Sequence, residues 1–264
     1  TISRLSADEL RSYFQRQYAR ENTFVVVAGN LPLAHPDIAS AVDDAFGEVR
    51  PGAFRPRPPV AEAQANPRTS IRFKETDQTH LLIGGRAFGV RDDGRRFAAD
   101  VLAHVLGGST ASRLFEEIRD KRGLAYAVHA SFDGYTTYGS IGTYAGVAHE
   151  NLPKVVPLIL REYARIRDEI VPAEELLRAK ESMKGRLAIS LEASDDLAFF
   201  VGGEEVTTGT PMTMAEVFAR IDAVSAADVQ AVGRDVFRPA GLNLAVIGPH
   251  RDADALARLM DDFR

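Results

Sequence analysis

The chain contains no cysteine. Disulfides, thiolate nucleophiles and cysteine-built zinc or iron–sulfur centres are therefore excluded from it. Zero cysteine fits a reducing compartment, and the cytoplasm is the expected location. No apolar run approaches the roughly 18 residues that a membrane-spanning helix needs. Nor is there an excess of positive charge. The formal net charge is −5 and the pI about 5.7, which argues against a general nucleic-acid or membrane-surface binder. The six histidines (35, 80, 104, 129, 149 and 250) include no pair at metal-ligand spacing and no H-E-x-x-H or H-x-x-E-H. No serine sits in G-x-S-x-G, and neither a phosphate-binding G-x-x-x-x-G-K-[ST] nor a G-x-G-x-x-G is present. Gly107-Gly108-Ser109-Thr110 follows a helical pattern instead of a strand and reads as a helix–helix hinge.

What is present is an ordinary globular composition, 264 residues with 45% hydrophobic and 26% charged side chains, enough for one large or two medium domains. The most informative feature is an internal repeat. Residues 5–30 align without a gap on residues 224–249. Ser6 falls on Ser225, Leu10 on Val229, Tyr18 on Phe237, Val27 on Val246 and Gly29 on Gly248. Each copy reads as a helix starting after a serine cap, then a short apolar strand closed by glycine. A further helix follows each, ending AVDDAF (41–46) in one copy and RLMDDF (258–263) in the other. The second copy runs to the last residue shown, so the first is expected to be represented by its tail alone. Residues 49–69 hold five prolines and read as an extended linker. The expected organisation is thus residues 1–48 as the tail of a first half, 49–69 as the joint and 70–264 as a complete second half.

Within that second half, strands are predicted over 70–76, 79–85, 124–132, 138–146 and 241–248. Helices are predicted over about 94–106, 110–121, 150–169, 173–192, 195–204, 213–221 and 225–237, followed by a terminal one. Strands that neighbour in sequence and helices that come in blocks give an α+β fold. The expected form is an antiparallel meander with helices packed on one face.

His149-Glu150 reads as a solvent-facing or capping pair, and His104, between Leu102 and Leu106, as a packed histidine. Phe199-Phe200 beside Gly202-Gly203 reads first as core, with a peptide-lining or subunit-contact role as the alternative. The distinctive run is residues 107–146. It holds the glycine pair, Ser112-Arg113-Leu114-Phe115, Ile118-Arg119, Gly123-Leu124-Ala125-Tyr126, and two strands containing Gly139 and Gly142. On these residues the chain resembles the pitrilysin/insulinase-type zinc metallopeptidases, the inverzincins that include mitochondrial processing peptidases. The resemblance covers the chain in outline, duplication and proline-rich joint included.

The resemblance implies two homologous α+β halves closing on a peptide. Zinc is held by an inverted His-Glu-His motif in the first half, and an Arg and a Tyr seven residues apart are contributed by the second. Arg119 and Tyr126 occupy those places. An arginine fork can donate two hydrogen bonds to a peptide carbonyl or carboxylate. A tyrosine hydroxyl can donate to an oxygen that becomes negative during attack on a carbonyl. Purely structural roles stand beside these: Arg119 pairing with Glu116 or Asp120, and Tyr126 sharing the inward parity of Val128 and Phe132. Arg113 reads as an ion-pair partner within the fold. The metal motif itself is not in this sequence.

The expected function is that of the C-terminal, substrate-binding half of a zinc-dependent peptidase, inactive alone, with zinc in the intact protein only. Its expected partners are a peptide substrate and its own N-terminal half or a homologous subunit, with homo-oligomers possible and neither nucleic acid nor a membrane span. The alternatives are half of a non-catalytic sister subunit that binds peptide or scaffolds a complex, and a stand-alone binding module.

Overall fold

A computed structural model describes residues 2–31, 36–52, 60–92, 94–261 and 263. Part of the expected linker, 53–59, and Asp262 in the expected terminal helix lie outside the described residues. The described chain divides into two units, one formed by residues up to 52 together with 190–206, the other by 60–189 together with 207–263.

In the first unit, Ser6 caps helix α1 (Ala7–Gln17). Its hydroxyl accepts from the Glu9 N–H while the Glu9 carboxylate accepts from the Ser6 N–H at 2.8 Å. That backbone bond holds the Glu9 carboxyl below its usual range. A 3-10 turn follows at Arg20–Asn22, and α2 spans Pro36–Phe46. After α2 the chain ties back: the Arg20 guanidinium donates to the Gly47 carbonyl at 2.7 Å, and the Gly52 N–H donates to Glu21. Most of α6 (Ser194–Thr208) belongs to this unit. Its Gly202 lies so close to the 24–26 segment that a Cβ there would sit 3.3 Å from Val26 Cγ2. Phe199, expected in the core, is exposed on α6. Residues 23–29, expected as a strand, form none. Apolar β-branched residues make a strand only where neighbouring strands accept their backbone hydrogen bonds, and no such neighbour occurs among the described residues.

The second unit is a two-layer domain. Its strands are β1 (Arg68–Phe73), β2 (Thr79–Phe88), β3 (Ala125–Gly134), β4 (Tyr138–Val147) and β5 (Leu242–Gly248), in the order β1-β5-β2-β4-β3. β2, β4 and β3 run antiparallel as expected. The expected β1–β2 pairing is corrected: β5 enters between them, parallel to β1 and antiparallel to β2. The reason is composition. β5 buries Leu242, Leu244, Val246 and Gly248 on one face and suits an interior position. β1 carries Arg68 and Arg72 on its outward row and suits an edge.

Helices α3 (Arg96–Gly107), α4 (Leu152–Asp168) and α8 (Ala226–Val236) cover one face of the sheet. α5 (Ala173–Ser190), α7 (Met214–Ala223) and α9 (Ala253–Arg258) complete the unit. The inward row Leu81, Ile83, Val128, Ile141, Ala145, Leu244 and Val246 is buried. Tyr163 of α4 is fully enclosed and stacks on Phe237 with ring centroids 3.9 Å apart. On the opposite face of the sheet Leu82 and Ile247 are exposed, and among the described residues α3, α4 and α8 do not cover it.

His104 is packed in α3 as expected, with Nε2 3.0 Å from the Ser182 hydroxyl. Burial first, and the Arg186 charge second, push its pKa down to about 4. The unfolded chain therefore binds more protons than the folded one at acidic pH. The neutral ring's stabilisation is complete above about pH 6.5 and is lost as pH falls toward 4. Unfolding free energy should drop by about 2 kcal/mol between pH 7 and 4.5 from this group. The His104→Gln variant should lose that part of the slope in urea titrations at the two pH values. An unchanged slope would remove His104 as its source.

Candidate functional site

The segment 107–147 departs three times from regular geometry, and each departure sets one of the side chains singled out by sequence. α3 stops at Gly107, which packs so tightly on β3 that a Cβ would lie 2.3 Å from the Ala130 nitrogen. Ser112 is buried, its hydroxyl donating to the Ser109 carbonyl at 2.6 Å. Arg113 then fixes the segment to α5. Its Nε and Nη2 donate to the two oxygens of Glu175 at 2.7 and 2.9 Å, and buried Glu162 stands 3.9 Å from Nη1. This is the bidentate geometry that favours arginine over lysine.

The helix expected over 110–121 is instead a π-turn, Phe115–Asp120. The Lys121 N–H reaches the Glu116 carbonyl five residues back, at 2.9 Å. Such wide turns are rare and recur at functional positions. Leu114 and Ile118 are buried, while Arg119 is exposed. Its guanidinium stands over the Phe115 ring, 4.9 Å from the centroid. Among the described residues Arg119 makes no ion pair, so the expected alternative of pairing with Glu116 or Asp120 is not what the structure holds. Lys121 and Arg122 both take Glu117, whose carboxyl is held below its usual range chiefly by Arg122.

Gly123 ends the turn at φ +61°, a left-handed conformation that costs glycine little. β3 then begins with a bulge. Ala125 opposes Val147 and Ala127 opposes Gly146, which leaves Tyr126 as the extra residue. Simple alternation puts Tyr126 on the inward row with Val128. The bulge breaks that parity, and Tyr126 is 66% exposed while Ala125, Val128 and Ala130 are buried. The core-aromatic alternative is therefore corrected. Arg119 and Tyr126 are both presented to solvent, on either side of Gly123, by a π-turn and a bulge.

Two further clusters escaped sequence reasoning. On the sheet face opposite α3, α4 and α8, His80 Nδ1 lies 2.7 Å from the Tyr144 hydroxyl, and the His129 ring lies 4.9 Å from the Tyr144 ring. These side chains come from β2, β4 and β3, and only the strand register aligns them: His80 pairs with Gly146 and His129 with Tyr144. At the corner where β2 begins and β5 ends, the buried Thr79 hydroxyl lies 2.9 Å from His149 Nδ1 and 2.7 Å from His250 Nε2. His149 is thus corrected from a solvent or capping role to a partner of Thr79. Burial, then the neighbouring His149, lowers the His250 pKa. Among the described residues no three His, Asp or Glu side chains are grouped in a way that could hold a metal ion.

The second unit is thus a mixed sheet covered on one side by helices, with an arginine and a tyrosine displayed by irregular backbone. Residues 4–183 match the family described as Peptidase M16 inactive domain. The chain belongs to the peptidase M16 family. It is 34% identical over 269 residues to a protein named as an uncharacterized zinc protease of Streptomyces coelicolor, covering 99% of this chain and 57% of that protein. It is 29% identical over 249 residues to an uncharacterized zinc protease of Bacillus subtilis, covering 94% and 59% respectively. The chain therefore spans less than two thirds of the length of these relatives. Among solved structures, a peptidase M16 inactive domain from Pseudomonas fluorescens superimposes with a TM-score of 0.82 at 20% identity, over 95% of this chain and 59% of that one. A protease from Helicobacter pylori gives 0.81 at 18%, over 94% and 60%. These two establish the likeness of fold.

Proposed function

We propose that this chain is the substrate-contacting, metal-free C-terminal half of a zinc-dependent peptidase, with residues 1–48 the tail of the metal-bearing half. The observation that carries the reading is the exposure of Arg119 and Tyr126 by a π-turn and a bulge in a domain of this family. Backbone irregularity of this kind has a cost, and its presence beside two exposed polar-tipped side chains points to use. In the intact protein Arg119 anchors a backbone carbonyl or carboxylate of bound peptide through its fork. The Tyr126 hydroxyl donates to the carbonyl oxygen as it gains negative charge. Arg113, locked on Glu175, holds the segment that carries both. The zinc belongs to the other half and is named in the relatives as zinc proteases.

The test compares the product of the complete reading frame with the 264-residue chain on quenched fluorescent peptides. The complete product should cleave them and lose activity to a chelator, with activity restored by zinc. The 264-residue chain at equal concentration should show no chelator-sensitive cleavage. Robust zinc-dependent cleavage by this chain alone overturns the proposal. Peptide binding without cleavage by the complete product favours a non-catalytic sister subunit instead.

A further inference from the structure

The sheet face opposite α3, α4 and α8 has a charge character unlike that of the whole chain. Register gives its rows. Arg72 pairs with Ile247, Ile247 with His80, His80 with Gly146 and Gly146 with Ala127. These five residues therefore cross all five strands in one line, at about 4.8 Å per strand. Tyr126, the exposed extra residue of the bulge, stands beside Ala127 at the end of that line. In the next row of the same face, Tyr144 pairs with His129. Among the described residues, the open rows of the five strands carry a single acidic side chain, Asp133, against Arg68, Arg72 and Arg86. Glu62 takes Arg86 at 2.8 Å, and Asp133 lies about 13 Å along the strand from His129. In a chain of net charge −5, the rows around His80 hold hydrogen-bond donors and no carboxylate.

At the middle of the line the surface is recessed. A Cβ on Gly146 would lie 3.0 Å from Gln78 Oε1, 3.4 Å from the Tyr144 hydroxyl and 4.0 Å from His80 Nδ1. Polar atoms thus surround a space the size of one methyl group. The Tyr144 hydroxyl engages His80 Nδ1, which leaves Nε2 with no hydrogen bond among the described residues. The exposed side chains of Arg72 and His129 have none there either. Cross-strand packing accounts for the rings, since Tyr144 lies against His129 and, at 6.0 Å between centroids, against His80. It does not account for the missing carboxylate, because solvent-facing surfaces ordinarily intersperse both signs of charge.

We infer that this part of the sheet is a subsite for an acidic side chain of a bound peptide. The carboxylate accepts hydrogen bonds from the imidazoles of His80 and His129, and Arg72 supplies a full positive charge. Exposed Leu82 and Ile247 flank His80 and cover the aliphatic stem. With Nε2 donating to the ligand, His80 Nδ1 accepts from the Tyr144 hydroxyl, so Tyr144 is a positioning residue that fixes the tautomer. The inference rests on the reading of Tyr126 as a substrate contact, since the line ends beside it. What it adds is a residue preference. Arg119 and Tyr126, both addressed to the peptide backbone or its terminus, supply none.

Fluorescence anisotropy on the 264-residue chain tests it, with labelled alanine–serine peptides that differ only in a central Glu, Gln or Lys. The Glu peptide should bind at least about tenfold tighter than the Gln peptide, and the Lys peptide weakest. His80→Gln combined with His129→Gln should bring the Glu and Gln peptides within about twofold of each other. Gly146→Ala, which places one methyl group in the recess against the flexible end of Gln78, should do the same. Equal affinity for the three peptides, or no binding, overturns the inference, as does a Glu preference that survives both variants. So does a double variant with a lowered urea midpoint and unchanged affinities, because the rings then serve the sheet alone. Binding requires neither zinc nor turnover, so the two readings fail separately. A Glu preference here without hydrolysis by the complete reading-frame product supports the subsite and counts against the peptidase. Hydrolysis of Glu and Gln peptides at equal kcat/KM overturns the subsite and leaves the peptidase standing.

Discussion

Replacing Tyr163 with alanine should destabilise the second unit by about 4 kcal/mol, among the largest losses a single side chain can cause here. Three interactions end together. The ring is fully buried and stacks on Phe237, itself fully buried, at an interplanar angle of 13°, so truncation opens a cavity between α4 and α8 that rigid neighbours fill only in part. The hydroxyl lies 2.8 Å from both the Ile83 carbonyl and the Thr143 hydroxyl. With one proton available, it donates to the carbonyl and accepts from Thr143. Burial pushes the Tyr163 pKa up, so the proton stays on the phenol throughout the working pH range. Tyr163→Phe keeps the ring and removes only the polar bridge from helix to sheet, at about 1–2 kcal/mol for the partners left buried. Urea unfolding of the two variants separates the terms. Equal losses would mean that the hydroxyl, not the packed ring, carries the effect. Against a typical stability of about 5–15 kcal/mol for a domain, the alanine variant approaches the margin for remaining folded.

The features legible in the sequence are those fixed by neighbours along the chain. Serine followed three residues later by an acidic side chain gave both capping boxes, and apolar periodicity gave α3, α4, α5 and α8 close to their observed ends. Strand order was not legible. The insertion of β5 between β1 and β2 is decided by contacts between segments about 170 residues apart, to which local pattern is blind. The repeat pointed to a strand at 23–29, and apolar residues there agree, yet strand formation is completed by a partner's backbone. At the candidate site, residue types and spacing picked out Arg119 and Tyr126, while the way they are presented stayed hidden. One extra residue in a helical turn and one in a strand are small insertions that alternation counts pass over. The second of them reversed the face assigned to Tyr126. The Thr79–His149–His250 and His80–Tyr144–His129 clusters were invisible for a related reason. Each is assembled from separate elements by sheet register, and no member has a motif around it.

Tyr126→Phe in the complete protein should lower kcat for peptide hydrolysis by about 10²–10³-fold with little change in KM, and Arg119→Ala should act mainly on KM. The distinction follows from when each interaction is made. A guanidinium fork on a carbonyl or carboxylate binds ground state and transition state alike, so its loss weakens binding uniformly. A hydroxyl aimed at an oxygen that becomes negative only during reaction contributes chiefly in the transition state. Both changes should leave stability within about 0.5 kcal/mol, because Tyr126 projects from a bulge into solvent and the exposed Arg119 stands with its guanidinium over the Phe115 ring. That is the discriminating contrast with Tyr163, where the same loss of a hydroxyl costs folding and not catalysis. Arg113→Ala provides the internal control. It strips Glu175 of a buried bidentate partner and leaves Glu162 beside an empty place, so stability and activity should fall together. Initial rates on a fluorogenic peptide, with urea midpoints measured on the same preparations, read all three. Unchanged turnover in Tyr126→Phe and Arg119→Ala would show that the π-turn and the bulge display these side chains for some purpose other than peptide cleavage.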